Sequence, residues 1–99
     1  MSSDIEMKIQ QEKQKAQIIG PEIKNYILSN FLPGDDEDSL QDDDLLFEGG
    51  IIDSAGAMTF ICFLEERYHI QILDEELFPE NFASVKHIVH FVLKKLLQK

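Results

Sequence analysis

The residues best placed to do chemistry are Asp53 and Ser54, an acid and a hydroxyl in succession. They follow a Gly49-Gly50 turn and the apolar anchors Ile51 and Ile52, and a helical apolar pattern starts directly after them. Ser54 therefore stands where a helix begins. Ser and Asp are favoured there because a side-chain oxygen accepts from a free backbone donor, so capping by Ser54 would by itself explain its presence. The same position makes the hydroxyl an accessible acceptor for an incoming phosphate, since a helix N-terminus stabilises an anion. The segment is not a hydrolase nucleophile elbow, which needs Gly two positions before the Ser where this chain has Ile52.

Other reactive side chains point nowhere specific. His87 and His90 are three apart on one helical segment and could share a face, but no Cys or carboxylate set completes a metal site with them or with His69. Cys62 has Met58 and Glu66 one turn away and nothing basic to lower its pKa. The acidic run from Asp35 to Asp44 tempts a calcium reading. Counting from Asp35 or Asp36, however, the position that must be Gly is Leu40 or Gln41, and the position that must be Glu is Leu46 or Phe47. A solvated acidic loop is the better account, and no metal is expected.

The chain has 99 residues, enough for one small domain, with 43% apolar and 28% charged residues, the balance of an ordinary globule. No run of about 18 apolar residues offers a membrane span, and Met1 to Glu6 lack the basic start and apolar run of a secretory signal. A single cysteine excludes an internal disulfide and suits a reducing cytoplasm. The net charge of −10 is uneven: residues 1–30 sum to zero, residues 31–84 to −14 and residues 85–99 to +4. Such a field disfavours nucleic acid and anionic lipid. It favours basic protein partners, met by the middle of the chain.

The elements that must position Ser54 are helices. Ile23, Tyr26, Ile27 and Phe31 make the buried stripe of a first helix from about Pro21 to Phe31, since Pro starts a helix better than it continues one. Residues 1–20 form a polar N-terminal extension, loose or helical, ahead of a main domain at 21–99. Because Ile5, Ile9, Ala16 and Ile19 stay in phase with the later stripe, a single kinked helix is the alternative. A long acidic loop follows, anchored by Leu45, Leu46 and Phe47. The helix after Asp53 runs to about Tyr68, with Ala57, Met58, Phe60, Ile61, Leu64 and Tyr68 facing the core. Its other face carries Ala55, Thr59, Cys62, Phe63 and Glu66, oddly apolar for solvent, so that either this face is a docking surface or Phe63 tucks sideways into the core. Residues 70–73 alternate as an extended link, Asp74 to Leu77 make a turn limited by Pro79, and a last helix capped by Ser84 spans about Val85 to Leu97, with Val85, Ile88, Val89, Val92 and Leu96 inward. The expected core includes Ile27, Phe47, Ile61, Leu64, Ile88 and Val92. The fold class is all-α, a bundle of three main helices plus one short one.

From about Ile23 to Leu97 the chain resembles the acyl carrier proteins, a family of phosphopantetheine-carrying four-helix domains. The resemblance lies in Gly50-Ile51-Ile52-Asp53-Ser54, in Phe63-Leu64-Glu65-Glu66-Arg67-Tyr68-His69-Ile70-Gln71-Ile72 and in Asn81-Phe82-Ala83-Ser84-Val85, in that order and spacing. It implies that Ser54, supported by Asp53, receives 4′-phosphopantetheine from coenzyme A through a phosphopantetheinyl transferase. It also implies a non-catalytic, monomeric, cytoplasmic shuttle that carries acyl or aminoacyl thioesters in fatty-acid or secondary-metabolite biosynthesis. Its partners would be loading enzymes and synthases with basic docking patches, meeting Ala55, Thr59, Cys62, Phe63, Glu66 and Glu48. Fatty-acid carriers follow the Ser with Leu and keep acids along the next turns. Here Ala55, Gly56 and Thr59 stand instead, which points to a specialised pathway. The alternative is a small acidic helical interaction module without a prosthetic group.

Overall fold

The computed structural model describes residues 2–34 and 39–98, in which helices α1 (Ser2–Phe31), α2 (Ser54–Tyr68), α3 (Pro79–Phe82) and α4 (Val85–Leu97) follow one another, with a 3-10 turn at Asp74–Glu76. Among the described residues there is no strand, and the architecture is the expected all-α bundle. The side-chain placement of Ile5 and Ile9, and the acids at 35–38, lie outside the described residues.

α1 does not start at Pro21. It runs unbroken for 30 residues through Gly20-Pro21, about 45 Å at 1.5 Å per residue. That is close to the longest dimension of the molecule, 46 Å. Proline removes the hydrogen bond to the Gln17 carbonyl, yet Pro21 and Gln17 are both exposed, so water can satisfy that oxygen. Ile19, Ile23 and Ile27 meanwhile share one buried stripe across the proline. Their common burial outweighs the local helix-breaking tendency, so the single-helix alternative is the one realised.

α1 and α2 are antiparallel. Phe31 at the end of α1 lies against Gly56 in the first turn of α2, and Glu22 pairs with Arg67 in the last turn. Tyr68 donates to the same Glu22 carboxylate at 3.3 Å. Burial first, and that carboxylate second, push the Tyr68 hydroxyl well above the usual tyrosine range. Large rings fill the space between the two helices: Tyr26 stacks on Phe63 with centroids 3.9 Å apart and on Phe60 at 5.9 Å. α2 stops at His69, which takes a left-handed conformation (φ 54°) and donates its N–H to the Glu65 carbonyl. Ile70 and Ile72 then turn inward while Gln71 and Leu73 face out, the alternation expected of an extended link.

Ser84 caps α4 by accepting from the His87 N–H at 3.4 Å. Its oxygen also lies 2.6 Å from His87 Nδ1. The buried face of α4 is Val85, Ile88, Phe91 and Val92. Phe91, absent from the expected stripe, packs on Phe82 of α3, while Val89 is only partly buried. Of the expected core, Ile27, Ile61, Leu64, Ile88 and Val92 are buried, and Phe47 packs against the core from a half-buried position. Two assignments change. Met58 is 62% exposed rather than inward, and of the loop anchors Leu46 is fully buried while Leu45 stays out.

Candidate functional site

The loop before α2 is tied down by backbone bonds. Leu46 N–H donates to Ala83 O at 2.9 Å, which docks the loop on the α3–α4 junction, and Ile52 N–H donates to Leu46 O at 2.9 Å, which closes the loop on itself. Asp42 adds a second tether, accepting at its carbonyl from Lys86 N–H at 2.9 Å and at its carboxylate from Lys24 at 2.6 Å. Part of the acidic loop is thus paired rather than free in solvent. Gly50 turns the chain with φ 78°, a conformation that glycine adopts without strain, and delivers Ile52 into the core.

Asp53, not Ser54, caps α2. Asp53 is extended (φ −91°, ψ 177°), and its Oδ1 accepts from the Gly56 N–H at 2.7 Å. Ser54 is the first helical residue and is exposed. The reason is geometric: a cap must be extended so that its side chain can swing back over the first turn, and the chain becomes helical one residue later. The consequence is chemical. Because Asp53 does the capping, no hydrogen bond among the described residues engages the Ser54 hydroxyl. The Ser54 and Ala55 N–H groups, at the positive end of the helix, have no helical acceptor.

Gly56 is required by close approach. A Cβ there would collide with the Phe31 ring and crowd Asp53 Oδ1, so its absence lets the end of α1 close against the start of α2 and leaves the capping carboxylate in place.

One turn beyond Ser54, Ala57 and Met58 share its helix face and enter the wall of an apolar cleft of about 290 Å³. The cleft lies between α2 (Ala57, Met58, Ile61), the loop Leu45, Phe47 and Glu48, and the segment Leu77, Phe78, Pro79, Phe82 and Ala83. Glu48 is its single ionisable lining residue. Its rim is open, with Met58, Leu45 and Phe78 each about half exposed or more. Sequence periodicity does not show this cleft. Leu77 and Phe78 sit outside any helix, and the signal available was two bulky apolar residues in an acidic link just before Pro79.

The outward face of α2 differs in part from expectation. Ala55, Thr59, Cys62 and Glu66 are exposed, as is Glu48 beside the cleft. Phe63 takes the other course open to it: half-buried, it stacks on Tyr26. Burial, then the neighbouring Cys62, raise the Tyr26 hydroxyl above its ordinary value. His69, His87 and His90 are exposed, and among the described residues no three His, Cys, Asp or Glu side chains are placed to hold a metal ion.

No protein-family model matches the chain. Over 68 residues it is 37% identical to "Probable acyl carrier protein PigG" of Serratia sp., a match that covers 69% of this chain and 77% of that protein. With the all-helical fold and an exposed serine at the start of α2, that likeness settles the family: the chain belongs to the acyl carrier proteins.

Proposed function

We propose that Ser54 is the attachment site of 4′-phosphopantetheine and that the protein shuttles acyl or aminoacyl groups on that arm. The observation that carries the reading is the division of labour at the start of α2: Asp53 satisfies the first turn through Gly56 N–H, leaving the Ser54 hydroxyl exposed and unengaged. In the transfer, Ser54 Oγ attacks the pantetheine-side phosphorus of coenzyme A. A phosphodiester forms, adenosine 3′,5′-bisphosphate leaves, and the hydroxyl proton passes to a base of the transferase. The residues present suit the group. The free N–H donors of Ser54 and Ala55 would stabilise an anion held on Ser54, and the neighbouring Ala55 is small and exposed. The arm supplies a terminal thiol that holds cargo as a thioester. The chain itself supplies the anchor, the anion-stabilising helix end and an apolar cleft, reached along the Ser54 face of α2, that can shelter cargo from water.

Partners meet the acidic side of the molecule. Glu48, Ala55, Thr59, Cys62 and Glu66, together with the exposed Met58, form the docking face, and Phe63 supports it from behind. They are the transferase, the loading enzymes and the synthases of a specialised pathway, each engaged by a cytoplasmic monomer. Residues 21–99 constitute the carrier domain, and 1–20 extend its first helix. Intact-mass measurement after incubation with coenzyme A and a broad-specificity transferase tests the assignment: the chain should gain one arm, and Ser54→Ala none. An unmodified wild-type chain would leave a protein-binding module without an arm, and a peptide map placing the arm on Ser29 or Ser84 would move the site.

A further inference from the structure

The segment that gives Leu77 and Phe78 to the cleft has little structure of its own. From His69 to Phe78 it contains only the three-residue turn Asp74–Glu76. Its first half is held by Glu65, whose Oε2 accepts from the Ile72 N–H at 2.9 Å, and by the buried Ile70 and Ile72; Glu76 holds the half that leads into the wall. Its Oε1 accepts from Lys95 Nζ at 2.8 Å and from the Leu73 N–H at 3.0 Å, while its carbonyl accepts from Asn81 Nδ2 at 2.8 Å. One residue therefore ties the start of the turn, the head of α3 and the last turn of α4 together. The pair is shielded, with side-chain exposures of 14% for Lys95 and 24% for Glu76, so salt screens it less than a free surface pair. The hydrogen bond from Lys95, then that from Leu73 N–H, hold the Glu76 carboxyl below its usual range, and Lys94 adds to the effect. Its neighbours Asp74, Glu75 and Glu80 are exposed, so Glu76 is the acid of this stretch that turns inward. Lys95 lies nine residues beyond Lys86, whose N–H holds the loop before Ser54. That is about 14 Å along the helix axis.

We propose that Glu76 and Lys95 are positioning residues that fix the Leu77–Phe78 wall, so that an ion pair at the end of α4 remote from Ser54 sets the width of the cleft. The proposal rests on the cleft serving cargo held on Ser54. The wall has no other ionic tie among the described residues, and its two apolar side chains are the residues directly after Glu76. Losing the pair frees the wall while α1, α2 and α4 keep their packing.

Lys95→Met keeps the apolar stem and removes the charge, and Lys95→Arg keeps the charge. In the full chain, amide hydrogen exchange at Leu73, Glu76 and Leu77 should speed up by about tenfold or more in Lys95→Met, the usual worth of a charge-assisted hydrogen bond. Exchange at Phe60 and Val92 should stay unchanged, and Lys95→Arg should behave as wild type. Wild-type exchange at Leu73–Leu77 in Lys95→Met overturns the proposal. So does an equal rise at Phe60 and Val92, which would mean general destabilisation. If Lys95→Met fails to fold, Glu76→Gln carries the same comparison. A second readout separates the two readings: the chain is loaded from octanoyl-coenzyme A with the transferase, and hydrolysis of the thioester is followed. Faster hydrolysis in Lys95→Met supports both. Faster local exchange with unchanged hydrolysis supports the positioning pair and overturns the cleft as a cargo shelter.

Discussion

Asp53 and Ser54 divide two roles that either residue type could fill, and substitutions should pull those roles apart. Ser54→Ala removes no cap, so its cost in stability should be a few tenths of a kcal/mol at most, while arm attachment disappears. Asp53→Ala removes the acceptor of the Gly56 N–H and should cost about 1 kcal/mol, the common value for a lost N-cap. It should also slow attachment by fraying the turn that presents the hydroxyl. Chemical denaturation and intact-mass kinetics on the two variants check this, and a larger stability loss in Ser54→Ala than in Asp53→Ala would contradict the capping geometry. Tyr68 offers a pH test. Its hydroxyl is raised above the ordinary tyrosine value of about 10 by burial and by Glu22. A raised folded-state pKa means that the stabilisation is fully present below pH 10 and is lost as pH climbs above it. Stability of wild type should therefore fall above pH 10 more steeply than that of Tyr68→Phe.

At the scale of elements, α1 shows tertiary burial overriding a local rule. Pro21 sits inside a 30-residue helix, where proline is about 3 kcal/mol less favourable than alanine in a helix interior. Pro21→Ala restores the bond to the Gln17 carbonyl and should raise the melting temperature, with a gain of at most that size because the site is exposed. No gain would show that the helix has already adapted around the proline. The opposite result is expected at Gly56, where a helix-propensity argument alone favours Ala. A Cβ there meets the Phe31 ring, so Gly56→Ala should lower stability and disturb presentation of Ser54, as thermal melts and attachment rates would show.

The whole molecule is governed by charge: −14 between residues 31 and 84 against +4 after residue 84. Partner association should weaken as salt rises, with the loss mainly in the on-rate, and binding indifferent to salt would exclude electrostatic steering. The same acids repel one another, so magnesium should raise the melting temperature by screening them. Glu76 adds a pH dependence of its own. Its folded-state pKa is lowered, so its contribution is present above the unfolded carboxylate range and is lost as pH falls through the folded value. Glu76→Gln should flatten that part of the acid limb of a stability–pH profile.

Patterns that depend on neighbours in the chain were legible in the sequence itself. The periodicity of α2 and α4, the cap at Ser84, the alternation at 70–73 and the Asp53-Ser54 pair at a helix start all follow from local hydrogen bonding and side-chain spacing, which residues close in sequence decide. Four features were decided by residues far apart. α1 continues through Pro21 because Ile19 and Ile23 share one core on either side of it. Phe63 turns inward because Tyr26 of another helix offers a ring to stack on. Met58 faces out because Leu77 and Phe78 stop short of it and leave a cleft rather than a filled core. Asp53 takes the cap, and frees Ser54, where the chain leaves a loop pinned to Ala83 and Lys86. Each is settled by long-range packing, which a helical period in the sequence does not encode.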